Sequence, residues 1–237
     1  MSLEGKVALI TGGTGALGRA VTAAFAEAGA RLAVPYRDEV EAESSHKLLG
    51  ARADAVTFLK ADVTAEAEVQ RLVSTLVDRF SRIDILLNLV GGYIGDLPVA
   101  DLPEAAWDRM LQINLKSAFL CSKHVVPIMR RTGGGRIVNI SSRAALKVFP
   151  GISAYAAAKA GLLAFTETLA SEVLKDNITV NAVVPSVIDT PANRKAMPKA
   201  DPSAWVKPEE IARVLLFLCS DAAKEISGAA IPVYGRA

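Results

Sequence analysis

A short apolar run, Val7-Ala8-Leu9-Ile10, breaks into Thr11-Gly12-Gly13-Thr14-Gly15-Ala16-Leu17-Gly18. Residues 19–29 then carry Ala, Val and Phe at helical spacing and stop at Gly29. Strand, glycine-rich turn and helix in that order constrain the fold more than any other stretch of the chain. Gly13, Gly15 and Gly18 fit a G-x-G-x-x-G spacing, and the flanking strand and helix are the context that gives this spacing meaning. Glycines let the turn close and let a ligand approach the backbone, and the helix start offers unpaired N–H groups to a pyrophosphate. The unit predicts a dinucleotide-binding α/β fold.

In such a fold the second strand selects the cofactor, about 20 residues beyond the glycines. Here that strand is residues 31–34, followed by Pro35-Tyr36-Arg37-Asp38. An acid at the strand end would accept hydrogen bonds from the adenosine ribose and repel a 2′-phosphate. Tyr36 holds that place, with Arg37 next, and a guanidinium suits a phosphate dianion. NADP(H) is therefore favoured and NAD(H) is possible; the alternative reading of Arg37 is an ordinary surface charge.

The rest of the chain alternates in the same way. Residues 39–50 and 65–80 read as helices, the second with apolar positions at Val69, Leu72, Val73, Leu76, Val77 and Phe80. Thr64 is placed to cap it. Residues 55–59 read as a strand leading into Asp62-Val63, and residues 83–90 as a strand buried on both faces that ends at Gly91-Gly92. Residues 103–131 are helical around Asn114, an amide that needs partners in an apolar pattern. It is either satisfied by backbone groups or bridges a break in the helix. Strands follow at 136–142, 178–185 and 229–233, and a helix at 209–219. Residues 186–208 are polar, proline-rich and aperiodic, either a substrate lid or a plain surface loop. Strands alternating with helices predict one parallel sheet covered on both faces, a single domain over residues 1–237.

Composition narrows the partners. A net charge of +2, with 22% charged residues, gives no basis for binding nucleic acid or an anionic membrane. No apolar run reaches membrane-spanning length, and the first residues carry no signal pattern, so the chain reads as cytoplasmic. Cys121 and Cys219 are not in a C-x-x-C pair and read as reduced core thiols, while His46 and His124 lack partners for a metal site.

The chemistry concentrates at Tyr155-Ala156-Ala157-Ala158-Lys159. On a helix capped by Ser153, residues four apart share a face, so the phenol and the ammonium reach one spot. A nearby Lys⁺ favours the phenolate and lowers the Tyr pKa from its ordinary value. The strand at 136–142 delivers the Ser142 hydroxyl at its C-terminal end, the edge where open parallel sheets bind ligands.

Thr11-Gly12…Gly18, Asp62-Val63, Asn88…Gly91, Asn114, Ser142, Tyr155-x-x-x-Lys159 and Pro185…Thr190 together resemble the short-chain dehydrogenase/reductase family over essentially the whole chain. The resemblance implies a Rossmann-type doubly wound parallel sheet of about seven strands and hydride transfer with a nicotinamide cofactor. It makes Tyr155 the general acid/base, with Lys159 lowering its pKa and holding the nicotinamide ribose. Ser142 bonds the substrate oxygen, and Asn114 holds a water on the proton path. It sets Gly12, Thr14, Gly15, Ala16, Leu17 and Gly18 at the pyrophosphate, Asp62 and Val63 at the adenine, and Asn88 and Gly91 on the ribose side. Pro185, Ile188 and Thr190 fall beside the nicotinamide, the last two at its carboxamide. It also implies a homotetramer or homodimer, packed through residues 103–131 and the helix after Ala154.

Three departures stand out: Ala16 replaces a turn glycine, Leu89-Val90 replace Asn-Ala, and Ser186 replaces a glycine after Pro185. Locally, Gly91-Gly92-Tyr93 and the stretch from Asp189 to Pro198, with Trp205, resemble dihydropteridine reductases. Those typically lack the serine and use NADH, so Ser142 and Arg37 favour reduction of a small-molecule carbonyl, or oxidation of the alcohol. A quinonoid dihydropterin is the second substrate reading. A non-catalytic NADP(H)-sensing protein is the reading of a different class.

Overall fold

The computed structural model describes residues 1–236. Strand β1 (Val7–Thr11) is buried at every position and lies inside the sheet. Helix α1 (Ala16–Glu27) follows, then β2 (Arg31–Tyr36), α2 (Glu39–Leu49), β3 (Val56–Lys60), α3 (Glu66–Phe80) and β4 (Ile85–Asn88). The second half contributes α4 (Glu104–Leu111), α5 (Ser117–Thr132), β5 (Gly135–Ile140), α6 (Ser153–Glu172), β6 (Ile178–Pro185), α7 (Pro191–Ala196), α8 (Pro208–Leu218) and β7 (Ala230–Val233). The seven strands form one sheet in the order β3-β2-β1-β4-β5-β6-β7, and every pairing is parallel. The order reverses between β1 and β4, which opens a crevice at the C-terminal ends of those two strands.

Alternate residues of each strand feed two separate cores. Leu9, Leu86 and Ile137 face α3, α5 and α6, against Leu76, Met129 and Leu169. Ile10, Leu87 and Val138 face the other way, against Phe25 of α1 and Leu215 of α8. Each of these aliphatic side chains contributes about 1.5–3 kcal/mol by leaving water, so the sheet is fixed from both sides.

Boundaries differ from expectation where a side chain or a turn intervenes. Helix α1 begins at Ala16, three residues early, because Gly15 is extended and takes the N-cap position (φ −73°, ψ 175°). Thr64 does not cap α3. Ala65 holds that position, and the Thr64 hydroxyl donates to Asp62 Oδ1 at 2.7 Å. Nor does Ser153 cap α6. It is the first helical residue, Ile152 precedes it as the cap, and the Ser153 Oγ is buried without a partner. Strand β4 is shorter than predicted at both ends; at its start Asp84 still exchanges backbone bonds with Val7 and Arg136, while its carboxylate also accepts from Val7 N at 2.9 Å. Residues 186–208 are not a plain loop. Thr190 caps the six-residue α7 by accepting from Asn193 N at 3.2 Å. A bridge between Ile188 and Val206 ties the segment's two ends together, with Trp205 buried beside it.

Candidate active site

A cavity of about 480 Å³ lies over the crevice. The glycine turn forms its floor. Gly12 has φ +69°, and a Cβ there would stand 3.0 Å from Leu89 C; a Cβ on Gly18 would run into Gly12 O. The turn is closed so tightly that these two positions must be glycine. Ala16 sits in the first turn of α1, where its methyl is accommodated. No side chain caps that helix and no acid stands in its first turn, so its N–H groups are left for an anion. These features fit a dinucleotide pyrophosphate.

At the far end of the cavity are Tyr36, Arg37, Asp62 and Val63. Asp38 also lines this end, and its Oδ1 caps α2 by accepting from Val40 N (2.8 Å) and Glu41 N (3.1 Å). Arg37 pairs only loosely with Asp62, at 3.9 Å, and its side chain is 60% exposed. Burial works to raise the Asp62 carboxyl. Bonds from Thr64 N and Oγ1, with the charges of Arg37 and Arg109, nevertheless leave it below its ordinary value.

Gly91 connects the cavity to the candidate catalytic groups. A Cβ on it would stand 2.9 Å from Asn114 Oδ1 and 3.3 Å from Lys159 Nζ, so both polar heads converge there. Asn114 lies in a π-helical turn, Gln112–Lys116, that joins α4 to α5. Both readings of Asn114 hold: it accepts from Gly92 N (3.1 Å), donates to Gly92 O (3.0 Å) and Met110 O (3.1 Å), and so spans the irregular turn. Lys159 is buried and donates to Ile140 O at 2.8 Å, while its own carbonyl accepts from Ser141 Oγ at 2.9 Å. The last residue of β5 and the one that follows it thus lock α6 in place. Ser142 follows at once, with its Oγ accepting from Ala144 N (3.2 Å) and hydrogen-bonded to the Tyr155 phenol.

The electrostatics reverse one expectation. The Tyr155 phenol is held above its ordinary pKa, not below it. Burial is the main cause, the Ser142 bond pulls the other way, and Tyr93 adds to the rise. Lys159 does not offset this, because its ammonium is turned toward Ile140 O and lies 5.9 Å from the Tyr155 ring centre. Burial also pushes the Lys159 pKa down to about 8.

The structure thus gathers the glycine turn, Tyr36, Arg37, Asp62, Val63 and Gly91 around the cavity, and Asn114, Ser142, Tyr155 and Lys159 beyond Gly91. Asn88 is not brought to the cavity. Its Nδ2 donates to Asn139 Oδ1 at 2.8 Å inside the sheet, and its own Oδ1 is buried and unpartnered. Pro185 pairs with Val233 in the sheet, Ile188 accepts from Asn193 Nδ2, and Thr190 caps α7, so these three bracket the start of residues 186–208 rather than line the cavity. Sequence reasoning missed Glu41 and Arg109, which both line it. Thr14 Oγ1 donates to Glu41 at 3.3 Å, a contact 27 residues long that no local pattern announces.

Residues 13–235 match the family described as enoyl-(acyl carrier protein) reductase. The 3-oxoacyl-(acyl-carrier-protein) reductase of Thermotoga maritima is 36% identical over 243 residues, spanning 99% of this chain and 98% of its own. The chain belongs to the short-chain dehydrogenase/reductase family. Family membership makes it an oxidoreductase acting on CH–OH/C=O groups with a nicotinamide cofactor. Another short-chain dehydrogenase/reductase relative, the NAD-dependent glycerol dehydrogenase of Listeria innocua, is 34% identical over 236 residues, covering 96% of this chain and 91% of that one. A solved structure of a candidate family member from Burkholderia xenovorans superposes with a TM-score of 0.90 at 39% identity, covering 98% and 96% of the two chains. No helix among the described residues is long and apolar enough to cross a membrane.

Proposed function

We propose that this protein reduces a ketone to a secondary alcohol with NADPH, using Tyr155 as the proton donor. One observation carries the reading: the Tyr155 phenol is hydrogen-bonded to Ser142 at the C-terminal end of β5, next to Lys159 and across Gly91 from the cofactor cavity. A bound nicotinamide supplies the hydride that adds to the carbonyl carbon. The phenol, kept protonated by its burial, gives its proton to the carbonyl oxygen as negative charge develops there. Ser142 donates to the same oxygen and steadies that charge. The proton lost from the phenol would be replaced from solvent by way of the Lys159 ammonium, with Asn114, which converges with it on Gly91, positioning that path. Replacing Tyr155 with Phe keeps the ring and removes the proton. NADPH oxidation with a ketone substrate should then fall by about 10²–10⁴ while NADPH binding is retained. Near-native turnover by this variant would rule the mechanism out, and cofactor binding without turnover of any ketone by the wild type would favour a sensing protein instead.

The preference for NADPH rests on Arg37, the exposed cation at the adenosine end, with Asp38 occupied as a helix cap. Titration of both cofactors should show tighter NADPH binding in the wild type and loss of that preference in Arg37→Ala; equal affinities in the wild type would refute it. The same reading makes the protein a homodimer or homotetramer. The face between α5 and α6, where the 43%-exposed Phe119 lies edge-on to Phe165 at 6.2 Å, would be its contact, and sedimentation would test this.

A further inference from the structure

The catalytic Tyr155 has an aromatic neighbour that the proton-transfer chemistry does not use. The Tyr93 ring lies 5.1 Å from the Tyr155 ring, centre to centre, at an interplanar angle of 77°. Tyr93 is 55% exposed, although such a ring gains most from burial.

Its loop is built to hold it there. Both polar groups of the Gly92 backbone are gripped by Asn114, which fixes the chain immediately before Tyr93. A Cβ on Gly92 would stand 2.6 Å from Ile113 Cδ1, and one on Gly95 would run into the Tyr93 hydroxyl. Ile94 plugs the next position into a small core with Met110, Ile113 and Ala154. The ring is therefore held open by design of its neighbours rather than left loose. A second loop meets this one, since Leu97 N donates to Gly151 O at 3.2 Å. That loop, leading from Ser142 to Tyr155, carries Leu146, Val148 and Phe149 at 60%, 70% and 55% exposure. Large apolar side chains left in water on both loops beside a catalytic phenol mark a binding surface.

We infer that Tyr93 is a specificity-determining residue that forms one wall of the substrate site and selects a flat, uncharged ring attached to the carbonyl. This rests on the ketone-reducing reading above and adds the substrate class to it. An aromatic face rewards a planar unsaturated ring, by stacking, over a saturated ring of equal size. It is the ring and not the hydroxyl that does this. Burial and, after it, the charge of Asp96 raise the Tyr93 phenol, and the same Asp96 charge disfavours a carboxylate in that place.

Acetophenone and cyclohexyl methyl ketone are alike in size but differ in the flatness of the ring and in conjugation of the carbonyl. Conjugation acts equally on wild type and variant, so the change on replacing Tyr93 provides the test. Both are titrated against the cofactor-loaded protein by ligand-observed NMR, and both are assayed for turnover. The wild type should favour acetophenone by roughly three- to tenfold in both affinity and kcat/KM. Tyr93→Leu should erase the difference, through a raised KM for acetophenone with kcat within about twofold, and Tyr93→Phe should keep it. Equal affinities in the wild type, a preference that survives Tyr93→Leu, or no binding of either ketone would each overturn the inference. A ring preference in binding that Tyr93→Leu abolishes, with neither ketone reduced, would uphold the wall and sink the ketone-reducing reading. Turnover of both ketones without preference would sink the wall alone.

Discussion

Lys159 is the residue whose surroundings differ most from water. It is 4% exposed, makes its hydrogen bond to Ile140 O, and has a pKa near 8 in place of 10.5. At neutral pH the ammonium is charged in both the folded and the unfolded chain, and its burial costs the fold on the order of 3 kcal/mol. Between pH 8 and 10.5 the folded chain sheds this proton while the unfolded chain keeps it. The unfolded state then binds more protons, so stability rises with pH across that window and the cost fades. Lys159→Met keeps most of the volume and removes the charge. Urea unfolding of the cofactor-free proteins should show its stability relative to wild type to be greatest near about pH 7 and to decline toward about pH 10. The lost bond to Ile140 lowers the variant's stability by an amount that does not depend on pH, so a flat difference would contradict the assignment. A buried lysine of this kind is held in place at the expense of stability, and α6 tolerates it because Ser141 and Ile140 fasten the same turn.

At the scale of elements, the site is made where the loop after β4 meets the π turn between α4 and α5. Gly91→Ala tests that junction. Its methyl would press on Asn114 Oδ1 and Lys159 Nζ at 2.9 and 3.3 Å, and both heads would have to move by a few tenths of an ångström. Misplacement near reacting groups is costly, so kcat should fall roughly tenfold to a hundredfold with the protein still folded. Circular dichroism would confirm the fold, and wild-type kcat would show that the convergence on Gly91 carries no function. The sequence made much of this site legible. Strands alternating with helices imply the parallel sheet, residues 178–185 coincide with β6, and the family resemblance groups Tyr155, Lys159, Ser142 and Asn114 as the structure does. What escaped it has physical causes. Thr64 and Ser153 look like caps by residue type, but capping depends on which neighbour turns extended, and Ala65 and Ile152 do so. Helix α7 is six residues long, too short for a period to show. The downward pull on the Tyr155 pKa was expected from spacing alone, whereas the direction in which Lys159 points is set by Ile140, 19 residues away.

Across the whole molecule, the sheet separates two cores, and each holds one cysteine. Cys121 lies in the core against α3 and α6, and Cys219 in the core under α1 and α8. Burial pushes the Cys121 thiol up to about 12 and the Cys219 thiol higher than its ordinary value, so neither supplies thiolate in the native state. Labelling of each thiol therefore reports the opening of its own layer. The strands between them send alternate residues into both cores, so one face cannot loosen while the other keeps its packing. Iodoacetamide labelling across a urea series, with each site followed by mass spectrometry, should give one shared midpoint that coincides with the loss of helical circular dichroism. Two separate midpoints would mean that the layers unfold independently and that the sheet, despite its shared strands, does not couple them. A shared midpoint raised by added NADPH would place the cofactor cavity, which draws residues from α1, β2, α2 and α4, within that same cooperative unit.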